Sequence, residues 1–289
     1  MTAAALILED TLTRLVLRPD LGGSIANWSL RNSGLPLLRH ADRTALEAAT
    51  PRRLGCFPLL PWSNRIDQGG FANPDAWLDL TPNSDDPYPI HGTAWQQAWS
   101  VVEQSRQQVL LRLDSEEPFA YSAEQRIHLD GGRLSIELQV THRAAAPAWY
   151  GLGLHPYFPR TANTQLHAPA AGVWQGVGAA LPSELTPLPS GWDFHGLQRL
   201  PAERVDHAFS GWNGQCRIHQ PDLGYDLDCS ASHCAYYLLF TPPGQGFFCI
   251  EPVSHPINAH HLPGRPGLRL LTAGQTARLN WHMACRLLD

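Results

Sequence analysis

Alternation with a period of two constrains this chain more than any other feature. From Arg126 to Leu129 and from Leu134 to Val140, apolar residues recur at every second position (Ile127, Leu129; Leu134, Ile136, Leu138, Val140). Asp130-Gly131-Gly132 lies between them and supplies the positive-φ residues a tight hairpin turn requires. Val101–Leu113, Tyr236–Phe240, Phe247–Ile250 and Arg278–Leu287 read the same way, and Leu12–Leu17 runs into the turn Pro19-Asp20-Leu21-Gly22-Gly23. A helical period fits only Thr44–Ala49. Pro (25) and Gly (24) are abundant without any repeat, which favours short elements joined by turns. Phe71–Pro89 and Leu181–Pro201 are expected as loops, and neither has the composition of a flexible linker. The sequence therefore predicts an all-β fold, one large antiparallel β-sandwich, with residues 1–289 forming a single domain.

Composition narrows the chemistry. With 43% hydrophobic and 16% charged residues the chain can bury a large core. All 21 basic residues are arginine, so no P-loop lysine, kinase lysine or Schiff-base lysine exists. The net charge of −5 and the scattered arginines argue against nucleic-acid binding. Six cysteines, with Cys229 and Cys234 the nearest pair and no second pair to complete a zinc site, are expected to be reduced and mostly buried. The N-terminus lacks the basic region of a signal peptide, and no apolar run reaches the ~18 residues of a membrane span. The expected compartment is the cytoplasm, and the Asn27-Trp28-Ser29 sequon is read as chance.

Candidate chemistry lies in short strings. His155, in Gly151-Leu-Gly-Leu-His155-Pro156-Tyr157, ends a small-residue strand on a proline that holds it extended. The glycines allow close approach by a ligand or another backbone. His91 sits in a comparable setting, Pro89-Ile-His91-Gly92. Glu251 closes the apolar strand Phe247–Ile250, a costly place for a carboxylate unless it is paired or its raised pKa is used. Arg65 follows a proline-bracketed apolar run, and Asp206 has an apolar setting in Val205-Asp206-His207. Each of these has a structural alternative: a satisfied core histidine, a strand-end glutamate reaching solvent, an arginine paired with a buried carboxylate. Together they suggest a site for a neutral polyol, whose hydroxyls need such groups and whose apolar face needs aromatic cover. Ten tryptophans are available for that cover, Trp28, Trp62 and Trp95 lying nearest, although tryptophan is also a core residue.

The strings Ser63-Asn64-Arg65-Ile66, Ile90-His91-Gly92, Leu154-His155-Pro156-Tyr157-Phe158, Val205-Asp206-His207 and Ile250-Glu251-Pro252 occur in the order found in the aldose 1-epimerase (galactose mutarotase) family. The sequence resembles that family from about Phe57 to about Asn258, and most closely a compact bacterial epimerase-like branch. The resemblance implies the galactose mutarotase-like β-sandwich, with Glu251 as general base and His155 as general acid. It implies His91 as the second histidine at the sugar, and Asn64, Arg65, Tyr157 and Asp206 as hydrogen-bonding partners of its hydroxyls. It implies interconversion of the α and β anomers of an aldose by ring opening and closure, without cofactor or metal. Two strings depart from the family, Pro159-Arg160 after the histidine motif and Val253-Ser254-His255-Pro256-Ile257-Asn258-Ala259 after the glutamate, and the glutamine that contacts sugar in typical members has no match near Tyr237–Thr241. The stretch Ala208–Gly214 has no assigned counterpart.

Three other readings use the same residues. A glycoside hydrolase would pair Glu251 with Asp206 across the scissile bond. A metalloenzyme would use His91, His155 and Glu251, though no closely spaced ligand pair is present. A non-catalytic carbohydrate-binding protein would bind without turnover. A phosphosugar would need arginines such as Arg52, Arg53 or Arg160, whose ordinary reading is solvated surface.

Overall fold

A computed structural model describes residues 5–176 and 181–288. The alternating segments form strands because β-branched and large apolar side chains on one face can pack while the opposite face meets solvent. The hairpin read from Asp130-Gly131-Gly132 is present: Tyr121–Asp130 pairs antiparallel with Arg133–His142, and Gly131 and Gly132 have φ of 55° and 84°. Thr276–Leu287 lies on the other side of Arg133–His142. These three strands form the centre of a nine-stranded sheet. Val101–Leu113 is broken at Ser105, whose N–H bonds to Gln108 O, into the paired strands Ser100–Gln104 and Gln108–Ser115.

An eight-stranded sheet has Phe247–Val253 near its middle. It pairs with Tyr236–Thr241 on one side and with Gly153–Leu154 and Tyr157–Pro159 on the other. Val205–Ser210 flanks Tyr236–Thr241. Every strand ladder among the described residues of the two sheets is antiparallel.

The core lies between the two sheets. Leu111, Ile127, Ile136 and Leu138 from one share a buried cluster with Phe209, Tyr237, Leu239, Phe248 and Ile250 from the other. Burying each such side chain favours folding by roughly 1.5–3 kcal/mol. Because the side-chain period is two, Asp206, Leu238, Phe240, Cys249 and Glu251 point to the opposite face of the eight-stranded sheet. That face carries the candidate site.

The expected loops contain short strands. Within Phe71–Pro89, Trp77–Asp79 pairs with Gly70–Ala72, and Phe71 is fully buried against Trp62 and Ile66. Within Leu181–Pro201, Glu184–Thr186 and Gln198–Arg199 add edge strands to the two sheets. These strands are too short to show an alternation. The helix expected at Thr44–Ala49 runs Arg43–Glu47, capped by Asp42, whose carboxylate accepts the Ala45 N–H at 2.7 Å. All six cysteines are free, four of them buried. No helix among the described residues is long and apolar enough to cross a membrane.

Candidate active site

Glu251 projects from the middle of Phe247–Val253, opposite Leu238 in the register, and is 1% exposed. His155 arrives from Gly153–Leu154: its N–H donates to Phe57 O (2.9 Å), and Tyr157 N–H two residues on donates to Gly55 O (2.9 Å). The His155 ring is clamped between Phe57 (centroids 4.8 Å apart, planes at 25°) and Tyr157 (4.5 Å, 16°). This stacking holds Nε2 3.4 Å from Glu251 Oε1. His155 Nδ1 and Glu251 Oε2 are buried without a hydrogen-bond partner. Unpaired buried polar atoms are costly, and in a cavity they are the atoms a ligand would satisfy.

Burial pulls His155 down to about 3, with the nearby Arg39 and Arg52 guanidiniums adding to the effect. Burial raises Glu251 well above the usual carboxylate range; Asp206 adds to the rise and Arg65 opposes it. Both shifts favour the uncharged partners, a neutral imidazole beside a protonated carboxyl, so the pair holds one proton between them.

His91 and Asn64 hold each other. Asn64 N–H donates to His91 Nδ1 (3.1 Å) and His91 N–H to Asn64 O (3.0 Å), both residues having left-handed φ, 59° and 64°. With Nδ1 accepting, the His91 ring proton sits on Nε2. A side chain on the next residue, Gly92, would place its Cβ 1.9 Å from Leu60 O, so this turn admits only glycine. Arg65 is oriented by Asp86 (Nε–Oδ2 2.8 Å) and by Asp206 (Nη1–Oδ2 3.8 Å), and Asp206 also pairs with Arg204 (3.0 Å).

The segment that continues the glutamate strand fixes the Ser63–Asp67 loop. Ser63 N–H donates to His255 Nε2 (3.0 Å), Asp67 N–H to Asn258 Oδ1 (3.0 Å), and Asn258 N–H to Arg65 O (3.1 Å). His255 Nδ1 lies 2.7 Å from Pro256 O; donation there leaves Nε2 as acceptor, and burial pulls the ring down to about 4 so that it stays neutral. Gly151 makes room for it, since a Cβ there would fall 2.0 Å from His255 Cδ2. Gly153 likewise gives way to Val253 and Leu59. The close approach at these glycines is therefore made chiefly by side chains, not by the ligand or backbone that the sequence suggested.

Asn64, Arg65, His91, His155, Tyr157, Asp206 and Glu251 all line one cavity of about 210 Å³. It is smaller than the ~300–1,000 Å³ of drug-sized pockets. The seven residues are those to which the family resemblance assigns a catalytic or sugar-binding role. Three readings need correction. Trp28 and Trp62 are buried in cores and Trp95 backs Phe57, so Tyr157 and Phe240 are the aromatic rings lining the cavity. Arg160 is tied to Pro201 O (2.7 Å) and does not line the cavity, whereas Arg52 does, half-buried over Trp95 (5.3 Å) and bonded to Ser84 Oγ (3.0 Å). Among the described residues, the cluster of ligating atoms at the site is His155, Cys249 and Glu251, with Cys249 where the metalloenzyme reading had His91.

Phe57, Asp86, Arg204 and Arg39 carried no motif. Arg39 lies 3.6 Å over the Tyr157 ring and donates to Arg52 O and Leu54 O, bracing the turn that presents Arg52. Its one sequence signal was an arginine ending the apolar run Leu35–Leu38, the same kind of signal that singled out Arg65.

The sequence model of the aldose 1-epimerase family matches residues 5–284. The chain belongs to that family. It is 32% identical over 268 residues (89% of this chain, 90% of the relative) to the uncharacterized protein YphB of Escherichia coli (strain K12). The crystal structure of an Escherichia coli K12 protein superposes with a TM-score of 0.91 at 30% identity, covering 99% of each chain. A galactose mutarotase-like protein from Clostridium acetobutylicum shares the fold at 17% identity (TM-score 0.85, 98% of this chain and 95% of that one). The β-sandwich expected from the alternation is thus the galactose mutarotase-like fold.

Proposed function

We propose that this chain is a single aldose 1-epimerase domain that interconverts the α and β anomers of an aldose, with Glu251 and His155 exchanging protons with the sugar. The observation that carries the reading is the buried His155–Glu251 pair, 3.4 Å apart at the cavity, with a free polar atom on each partner. Transfer of the Glu251 proton to His155 Nε2, 3.4 Å away, sets up the reactive charge state, in which Glu251 as carboxylate takes the proton of the anomeric hydroxyl while His155 as imidazolium protonates the ring oxygen. The ring C1–O bond breaks, and the open aldehyde is left beside a neutral carboxyl and a neutral imidazole. That is the arrangement burial favours, so desolvation of the pair stabilises the opened state relative to the charged starting arrangement. Rotation about C1–C2 presents the other carbonyl face, and reversal closes the opposite anomer. His91 Nε2–H, Asn64, Arg65, Tyr157 and Asp206 are assigned to the sugar's hydroxyls. The chemistry needs no oxidant, reductant or energy source.

Arg52 favours a second reading of the substrate. It forms no ion pair among the described residues, and it also lines an adjoining cavity of about 570 Å³ together with Arg53. A sugar phosphate would give this guanidinium a charged partner. Polarimetry on fresh α-anomers of several aldoses and their phosphate esters tests both readings. Mutarotation above the buffer rate is expected, with Arg52→Ala impairing only the esters. Buffer-rate decay for every sugar contradicts the proposal.

A further inference from the structure

We propose that His155, Cys249 and Glu251 form a ligand set for a thiophilic divalent cation, zinc above all, whose binding blocks the acid–base pair. The inhibitory part rests on the catalytic reading above; the binding part does not. Cys249 and Glu251 stand two residues apart on one strand and so project from the same face. Cys249 is paired in register with Tyr157, two residues beyond His155, which brings the imidazole over both. One ligating atom from each of the three residues lies within 4.8 Å of the other two, and all three residues are buried.

The spacing is near that of a tetrahedral site. Nitrogen and oxygen ligands at about 2.0–2.1 Å from zinc lie about 3.4 Å apart. His155 Nε2 and Glu251 Oε1 already stand at 3.4 Å. A thiolate at about 2.3 Å from the ion requires the sulfur roughly 3.6 Å from each of them, a shift on the scale of side-chain adjustment. The thiol is free, and His155 Nδ1 and Glu251 Oε2 lack partners, so no existing bond opposes that adjustment. Thiolate, imidazole and carboxylate together select zinc over hard cations such as magnesium. The fourth position would open toward the cavity that His155 and Glu251 line, where water or a sugar hydroxyl can reach it. Ligation displaces the thiol and carboxyl protons to solvent and occupies the histidine lone pair, which leaves neither partner free to move a proton.

The test uses untagged protein in a weakly coordinating buffer. Cobalt(II) serves as the spectroscopic probe and zinc as the competitor, with mutarotation followed in parallel. The expected result is a near-ultraviolet thiolate-to-cobalt band that zinc abolishes and that is missing in Cys249→Ser. Zinc affinity should fall about tenfold or more in that variant. Zinc should slow wild-type mutarotation in step with its occupancy, while Cys249→Ser keeps its metal-free rate and resists zinc. Cys249→Ala provides a second variant should serine perturb the fold. An absent thiolate band, or equal zinc affinity and inhibition in wild type and variants, overturns the site. A protein with the band but no mutarotation refutes the catalytic reading alone, and one with mutarotation but no band refutes the metal site alone.

Discussion

Glu251 and His155 show how burial sets the working state of two ordinary side chains. Taken from water, each favours its uncharged form, and since one is an acid and the other a base they hold a single proton between them. The sign of the pH dependence follows. Acid must protonate an imidazole already pulled to about 3, so the acid limb of kcat/KM should lie well below the ordinary value of 6.5. Base must ionise a carboxyl raised by burial and by Asp206, so the alkaline limb should lie above the usual carboxylate range. A pH profile of kcat/KM checks this; an acid limb near 6.5 would mean that His155 titrates as if in water. A raised carboxyl was one of the readings of a glutamate closing an apolar strand, whereas the fall at His155 was not legible in the sequence. Tyr157 stacks on His155 from two residues away, but the other enclosing groups come from remote segments: Phe57 and Asp206 meet these two side chains only once the sheet has formed.

At the scale of elements, the strand carrying the glutamate also carries the means of placing the opposite wall. Its continuation, Ser254–Asn258, supplies His255 and Asn258 as partners for the Ser63–Asp67 loop. The divergent string Val253–Ala259 thus has a structural role that the family pattern did not indicate. His255→Leu leaves the buried Ser63 N–H without an acceptor and should raise KM roughly tenfold by displacing Asn64 and Arg65. His255→Gln restores an acceptor and should recover most of the loss. Steady-state kinetics on both variants decides; an unchanged KM in His255→Leu would remove the loop from the account. Gly92→Ala should impair turnover for a different reason, because its Cβ would collide with Leu60 O at 1.9 Å and shift His91. Longer strands were readable from alternation, whereas Trp77–Asp79 and Glu184–Thr186 were not. Three residues hold too little pattern, and pairing with a neighbour decides their conformation.

Across the whole molecule, two faces of one sheet divide the work. Phe209, Tyr237, Leu239, Phe248 and Ile250 bind the sandwich together, while Asp206, Leu238, Phe240 and Glu251 on the opposite face line the cavity. Stability and catalysis should therefore separate by face. Leu138→Ala, fully buried beneath the opposite sheet, should cost about 2–5 kcal/mol in chemical denaturation with little change in KM. Glu251→Gln should retain the fold and lose the rate. The same alternation that made the fold legible placed the glutamate on its face. What it could not give was which loops would cover that face, because these are joined by hydrogen bonds between segments as distant as Ser63 and His255.

On the proposed reading, Glu251 and His155 move protons to and from the anomeric centre. Saturation transfer between the anomeric proton resonances of an equilibrated aldose measures that exchange without any net reaction. The wild-type protein should show transfer, Glu251→Gln and His155→Asn should each slow it by about 10²–10⁴-fold, and both variants should retain sugar binding. Exchange at the wild-type rate in Glu251→Gln would contradict that reading.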